Sequence, residues 1–289
     1  MRWISVVIAF ASCAAVNAEP LLSPRYEIGK QYITQHSQRT QIGEQEIDLS
    51  FKLYSICRNA SGNADREVVS TMTQLKVELK LGEQTMSFDS ERQSTGDSPI
   101  GASFGKLVGK SFAIQLDESG EVVGVSRIDA FADGAANPLG HHFGEETLQQ
   151  LLMASIDLGV PADGVKKGGN WLHEVETPLA PDGHVRTAYR YRYETNETVD
   201  GVDCARIDGL GVLSISMKSG GGDEDPKDDI ETDDGSVSGS IWMDQKLRFP
   251  RKSSANVRMN LTAPHPTKQG EQLRTPVVQK VEMKLISVR

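Results

Sequence analysis

The feature that most limits what this chain can fold into is an alternation of period two. In EIDLSFKL, Ile47, Leu49, Phe51 and Leu53 alternate with Glu46, Asp48, Ser50 and Lys52. In VSTMTQLKVELKL, Val69, Leu75, Val77, Leu79 and Leu81 share one face with Thr71 and Thr73, while Gln74, Lys76, Glu78 and Lys80 take the other. Tyr189, Tyr191 and Tyr193 alternate with Arg190, Arg192 and Glu194, and Val277, Val281, Met283 and Leu285 with Lys280, Glu282 and Lys284. Successive side chains of a strand point to opposite faces, so each run is a strand with one dry and one wet side. A parallel sheet would bury both sides, so these runs imply antiparallel pairing.

The turns agree. Asn59-Ala60-Ser61-Gly62-Asn63 separates two long strands, and Asp117-Glu118-Ser119-Gly120 joins FAIQL to VVGV as a short hairpin. One amphipathic helix is predicted, EETLQQLLMASIDL over residues 145–158, with Leu148, Leu151, Leu152, Ser155 and Ile156 along one stripe and Gly159-Val160-Pro161 ending it. Strands on both sides of one helix predict an α+β fold, mainly antiparallel β, with two curved sheets or half-barrels joined by that central helix. The division expected is a leader over 1–18, an N-terminal β half over 19–144, a connecting helix over 145–160 and a C-terminal β half over 161–289. Within the last, SGGGDEDPKDDIETDDGS, residues 219–236, is read as an acidic, disordered surface loop, because its carboxylates repel and it has little to bury. It lacks the spacing of a calcium-binding loop.

The first residues have the parts of an export signal. Arg2 supplies a positive start, Ile4–Phe10 a brief apolar core, and Val16-Asn17-Ala18 a small-residue cleavage site. The apolar run is too short to cross a bilayer, which takes about 20 residues. Cleavage after Ala18 predicts an exported chain, periplasmic or extracellular. The alternative is lipid attachment at Cys13, where Phe10 stands in place of an aliphatic residue. Cleavage leaves Cys57 and Cys204, which in an oxidising compartment are either one disulfide or two buried thiols.

The net charge of −9 argues against nucleic acid, whose phosphates call for clustered Lys and Arg. Ser103-Phe104-Gly105-Lys106 fits S-x-x-K, but it lies in the glycine-rich PIGASFGKLVGKS, read as a loop, with no S-D-N after it. His142 and Glu146 in HHFGEE are four apart without an evident third ligand, and H-E-x-x-H is absent. No catalytic residue, cofactor or metal site is therefore assigned. Trp171 follows the turn Lys167-Gly168-Gly169-Asn170 and starts the strand WLHEV, where it either plugs a core or lines a groove.

Several segments together resemble an uncharacterised family of exported, β-rich bacterial cell-envelope proteins known only as a domain of unknown function. They are Gly29-Lys30-Gln31-Tyr32, Gly109-Lys110-Ser111-Phe112, FGEETLQQLL, and the P-x-x-x-V-x-x-G-x-x-W segment from Pro161 to Trp171. The chain departs from that family's pattern at Gly168-Gly169-Asn170-Trp171 and in its acidic insertion. The resemblance implies compartment and fold and brings no catalytic residues.

The expectation is a non-enzymatic envelope protein that binds an apolar small molecule or lipid, or another envelope protein. Leu75, Val77, Leu79, Trp171, Tyr189 and Tyr191 are candidates to line a groove, or else form an ordinary core. A hydrolase with an unfamiliar site is the remaining alternative. Mass spectrometry of the exported protein should find Glu19 as its first residue. A diacylglyceryl-modified Cys13 in the membrane fraction would reverse that expectation.

Overall fold

The computed structural model describes residues 22, 25–60, 64–118, 120, 122–127, 158–161, 163–179, 183–217, 230–264 and 271–289. Twelve strands are present among these residues: β1 (Gln31–Ile42), β2 (Gln45–Asn59), β3 (Arg66–Leu81), β4 (Gln84–Asp89), β5 (Ser111–Leu116), β6 (Val122–Ser126), β7 (Asn170–Leu179), β8 (Gly183–Val199), β9 (Val202–Met217), β10 (Ile230–Asp244), β11 (Phe249–Pro264) and β12 (Gln272–Val288). All belong to one sheet in the order β6-β5-β3-β2-β1-β12-β11-β10-β9-β8-β7, with β4 paired to the far half of β3. Every neighbouring pair is antiparallel, and β6 and β7 are the two edges among the described residues.

The architecture is therefore a single open sheet, not two sheets or half-barrels joined by a helix. The physical reason is the pairing of β1 with β12, from Tyr32 opposite Val288 to Ile42 opposite Val277, which fuses the first and last strands of the chain. The expected helix over 145–158 lies outside the described residues, except Leu158 at its end. Among the described residues the one α-helix is α1 (Pro99–Phe104), continued by a 3-10 turn over Gly105–Leu107.

That helix stands where a loop was expected. Ser98 caps it, its hydroxyl accepting from the Gly101 N–H at 2.9 Å, and Pro99 presets the first turn. Glycine at 101 reflects close packing, since a Cβ there would lie 2.9 Å from the Phe88 ring and from the Thr95 carbonyl oxygen. The acidic stretch also differs from expectation, because strand β10 begins inside it at Ile230 and pairs with β9 and β11.

Register divides the sheet into two unlike faces. On one lie Leu49, Phe51 and Leu53 of β2, Leu75, Val77 and Leu79 of β3, Ile207 of β9, and Trp171, Tyr191 and Tyr193 of β7 and β8. On the other lie Arg39, Asp48, Lys76, Glu78, Lys280, Arg206 and Asp208. A bulge between Lys52 and Leu53 shifts the early half of β3, so Val68, Ser70 and Met72 share the apolar face, rather than Val69 and Thr71.

The apolar face is covered at both ends. Ile100 and Leu107 pack with Met72, Leu75, Val77 and Phe88 at the β3–β4 end. Leu22, Leu158 and Val165 pack with Trp171, Tyr191, Tyr193, Ala205, Ile207 and Met243 at the β7–β9 end. Trp171 is 6% exposed, its ring stacks on Tyr191 at 5.3 Å, and its indole N–H donates to the Leu158 carbonyl at 2.9 Å. Truncating such a ring loses burial and leaves a cavity, at a cost of about 3–5 kcal/mol. Trp171→Ala should therefore lower the melting temperature by roughly 6–20 °C for a chain of this size. An unchanged melt by circular dichroism would show that the ring is not a core plug.

Candidate ligand-binding face

The six residues expected to line a groove fall into two separate groups. Leu75 and Val77 are buried beneath α1 and the following turn, with Leu79 half-buried beside them. Trp171 and Tyr191 are buried at the far end, where Tyr189 stacks on Tyr191 at 5.3 Å. Both tyrosine rings lie flat on glycines: a Cβ would come within 2.8 Å of Tyr191 at Gly209 and within 2.9 Å of Tyr189 at Gly211. These rings form core at the ends of the apolar face and do not converge.

Between the two groups run β1, β12, β11 and β10. Their residues on this face are Tyr32, Thr34, His36, Gln38 and Thr40; Val277, Gln279, Val281, Met283 and Leu285; Ser253, Ala255, Val257 and Met259; and Val237, Gly239 and Ile241. His36, Gln38, Val281, Met283, Ala255, Val257, Met259 and Ile241 are half-buried. None of these residues carries a formal charge when His36 is neutral. Neither β1's contribution nor the extent of this middle floor was legible from periodicity, because QYITQHSQRTQI carries polar residues on both parities.

The polar groups of β1 form a row down this face. His36 stacks on Phe51 with centroids 4.8 Å apart and planes 4° from parallel, and its Nε2 lies 2.9 Å from the Thr34 hydroxyl. The Gln38 amide donates to the Thr40 hydroxyl oxygen at 3.0 Å, and Gln279 of β12 donates to the same oxygen at 3.3 Å. Burial disfavours the imidazolium and pushes His36 down to about 4.

The opposite face is ionic. Arg39 forks onto Asp48 at 2.7 and 3.1 Å, Lys76 meets Asp89 at 2.9 Å, and Arg206 bridges Glu197 and Asp208 at 3.0 and 2.9 Å. A cleft of about 680 Å³ on this side is lined by Arg39, Asp48, Lys76, Glu78, Asp89 and Lys280, among others. A smaller hollow of about 320 Å³ near the β7 edge is lined by Leu172, Leu210 and Val212, which are 71%, 67% and 65% exposed.

Cys57 and Cys204 are both free and fully buried, on β2 and β9, with β1, β12, β11 and β10 between their strands in the sheet. Burial pushes both thiols up, and the Asp244 carboxylate adds to the effect at Cys204. Ser103 sits in α1 with its hydroxyl donating to the Pro99 carbonyl at 3.2 Å. His142 and Glu146 lie outside the described residues, and among those described no group of three metal-ligating side chains gathers. No helix of the described residues is long and apolar enough to cross a membrane.

These features define a β-sheet protein built on one open antiparallel sheet with an ionic and an uncharged face. Residues 63–246 match the family of unknown function DUF6263, and the chain belongs to that family. The family resemblance read from the sequence is thereby met in its central term, a domain of unknown function. No curated protein matches the chain.

Among solved structures the chain is similar to a lipovitellin described for its lipid–protein interactions, at 9% identity and a TM-score of 0.48, over 92% of this chain and 26% of that one. It thus spans about a quarter of the length of that protein. It is also similar to a DUF1329 family protein from Desulfovibrio piger, at 12% identity and a TM-score of 0.20, over 90% of this chain and 85% of the other. OpdK of Pseudomonas aeruginosa with vanillate follows at 7% identity and a TM-score of 0.17, over 90% and 98%. Likeness at these scores carries no functional argument.

The His36 environment has a measurable consequence. Its folded-state value lies below the unfolded one of about 6.5, so the neutral ring's contribution is complete above pH 6.5 and is lost as pH falls toward 4. Urea unfolding at pH 6.5, 5 and 4 should show the native chain losing roughly 2–3 kcal/mol more than His36→Phe over that interval. Parallel losses in the two proteins would mean that His36 titrates as a solvated histidine.

Proposed function

We propose that this is an exported, non-enzymatic cell-envelope protein that binds an apolar molecule or lipid against the uncharged face of its sheet. One observation carries the reading: the half-buried floor across β1, β12, β11 and β10 holds Val281, Met283, Val257, Met259 and Ile241 and no formal charge. An apolar chain laid on that floor gains about 0.8 kcal/mol for each CH₂ it removes from water. The flanking core clusters would keep the strands fixed while a ligand enters, so the face needs no reorganisation to receive it. Export rests on the leader-like start and cleavage after Ala18, with lipid attachment at Cys13 as the other outcome.

A second reading has its own observation. The exposed Leu172, Leu210 and Val212 beside the free β7 edge suit contact with another envelope protein, in which case the sheet is a scaffold.

Fluorescence titration with diphenylhexatriene, a neutral hydrocarbon probe, tests the first reading. Saturable binding is expected, and Met283→Glu should weaken it at least about tenfold by placing a charge on the floor. Binding that survives Met283→Glu and falls with Leu210→Glu would move the site to the other face. A folded protein that shows no saturable binding would reject a ligand-binding role.

A further inference from the structure

The row on β1 is chemically out of place in an apolar face, and its composition narrows the ligand. We propose that Thr34, His36, Gln38 and Thr40 recognise an uncharged carbonyl linkage, an ester or an amide, that joins the ligand's apolar chain to the rest of the molecule. This inference rests on the reading that the face between β1 and β10 takes an apolar ligand.

Two opposite mismatches bracket the chemistry. A plain hydrocarbon laid across the row would cover hydrogen-bonding groups without replacing the water they lose, and a buried donor or acceptor left unmet is costly. An ionised headgroup fares worse. The floor offers no cation to a carboxylate and no anion to an ammonium, since its charged neighbours at Arg39, Asp48, Lys280 and Glu282 belong to the opposite face. A buried charge without a partner is strongly disfavoured. His36 does not supply one at neutral pH, because burial keeps its ring uncharged. A neutral polar group attached to an apolar chain satisfies both limits.

The donors and acceptors left over along the row select among neutral groups. The Thr40 oxygen already accepts from the amides of Gln38 and Gln279 at 3.0 and 3.3 Å, which uses both lone pairs and leaves its hydroxyl hydrogen to donate. Gln38 spends one N–H on Thr40 and keeps its carbonyl oxygen as an acceptor and a second N–H as a donor. His36 meets Thr34 through Nε2, so Nδ1 is the ring's other polar atom. Alternate residues of a strand are about 7 Å apart, the span of one carbonyl linkage and its neighbouring bonds. The Thr40 hydroxyl and the Gln38 amide can therefore donate to a ligand carbonyl, and the Gln38 oxygen can accept from an amide N–H. On either side, Leu49, Leu53, Val281 and Met283 offer apolar walls to the chain that the linkage carries.

Competitive displacement of diphenylhexatriene from the full chain at pH 7.5 separates the cases, using C12 ligands that differ only at the end group. Methyl laurate should displace the probe at about tenfold lower concentration than laurate. Dodecyltrimethylammonium should be as poor as laurate, which distinguishes selection for neutrality from repulsion by the net charge of −9. In the double variant Gln38→Leu, Thr40→Val the preference for methyl laurate over dodecane should vanish while the probe binds at least as tightly as before. Equal displacement by methyl laurate, laurate and dodecane in the native chain would overturn the assignment while leaving the apolar site intact. So would a preference that persists in the folded double variant. Failure of the probe to bind the native chain would overturn this assignment together with the reading beneath it. Should the double variant not fold, the comparison of the four ligands on the native chain decides alone.

Discussion

The ladder between β1 and β12 is the contact on which the rest of the structure depends. Without it the chain holds two meanders, one from β1 to β6 and one from β7 to β12, each ending in an open strand edge. With it the two become one surface, and β12 stands at the middle of the eleven-strand path. The side-chain bond from Gln279 to Thr40 crosses 239 residues of sequence. Closing so long a loop costs only slightly more entropy than closing a shorter one, because the cost grows with the logarithm of length. The return for that closure is a continuous face which neither half could present alone.

The same seam explains why the two faces are chemically so different. Across it, Arg39 stands opposite Lys280, and Asp48 stands beside Arg39 on the next strand, so charges on the outer side find partners laterally. Exposed pairs of this kind contribute little each, typically below about 1 kcal/mol. Their effect is on register: a slip by one residue would carry Arg39, Asp48 and Lys280 onto the uncharged face, where no partner waits. Register is held a second time where the chain turns from β10 to β11. There the buried Asp244 carboxylate accepts from the N–H groups of Lys246 and Leu247 at 2.9 Å and from Arg251 at 3.0 Å. Removing either partner of such a buried pair would leave an uncompensated charge, so the turn fixes where the two strands begin to pair.

Strand content was legible wherever one parity was apolar and the other charged, as in EIDLSFKL and in the tyrosine run of β8. The hairpins after Asn59 and Asp117 were legible from turn chemistry. Three things were not. Sheet count depends on which strand lies beside which, and periodicity is silent about pairing between residues 31–42 and 272–288. Faces can be misassigned across a bulge: the extra residue near Thr73 moved Val68, Ser70 and Met72 to the side of Leu75, and no local signal marks it. Finally, β1 and the start of β10 lack apolar alternation, the first because it is polar on both parities from Thr34 to Gln41 and the second because its early residues are acidic. Both were lost to a criterion that reads strands by their hydrophobic side. The groove candidates were drawn from the most regular strands, and regular strands are the ones whose apolar residues already have partners in the core.

That bias has a physical root which bears on where binding surfaces sit in such folds. A side chain that packs well is consumed by packing, as Trp171 is by Tyr191 and the Leu158 carbonyl. A surface kept for a ligand must instead be incompletely satisfied by the protein, and must tolerate that state when empty. Half-buried valines and methionines tolerate it cheaply, because exposure costs each only a fraction of its transfer free energy. The half-buried Gln38 and Gln279 tolerate it too, since water can serve an amide when no ligand does, whereas Thr34 and Thr40 are already buried among side-chain partners. Half-buried residues of those types, Gln38, Val281, Met283, Val257 and Met259, lie along the middle strands, where one end is closed by the buried Tyr32, Phe249 and Leu285. The distribution follows from the seam: the strands farthest from the sheet's edges are held on both sides by backbone ladders, so their side chains need not be spent on holding them.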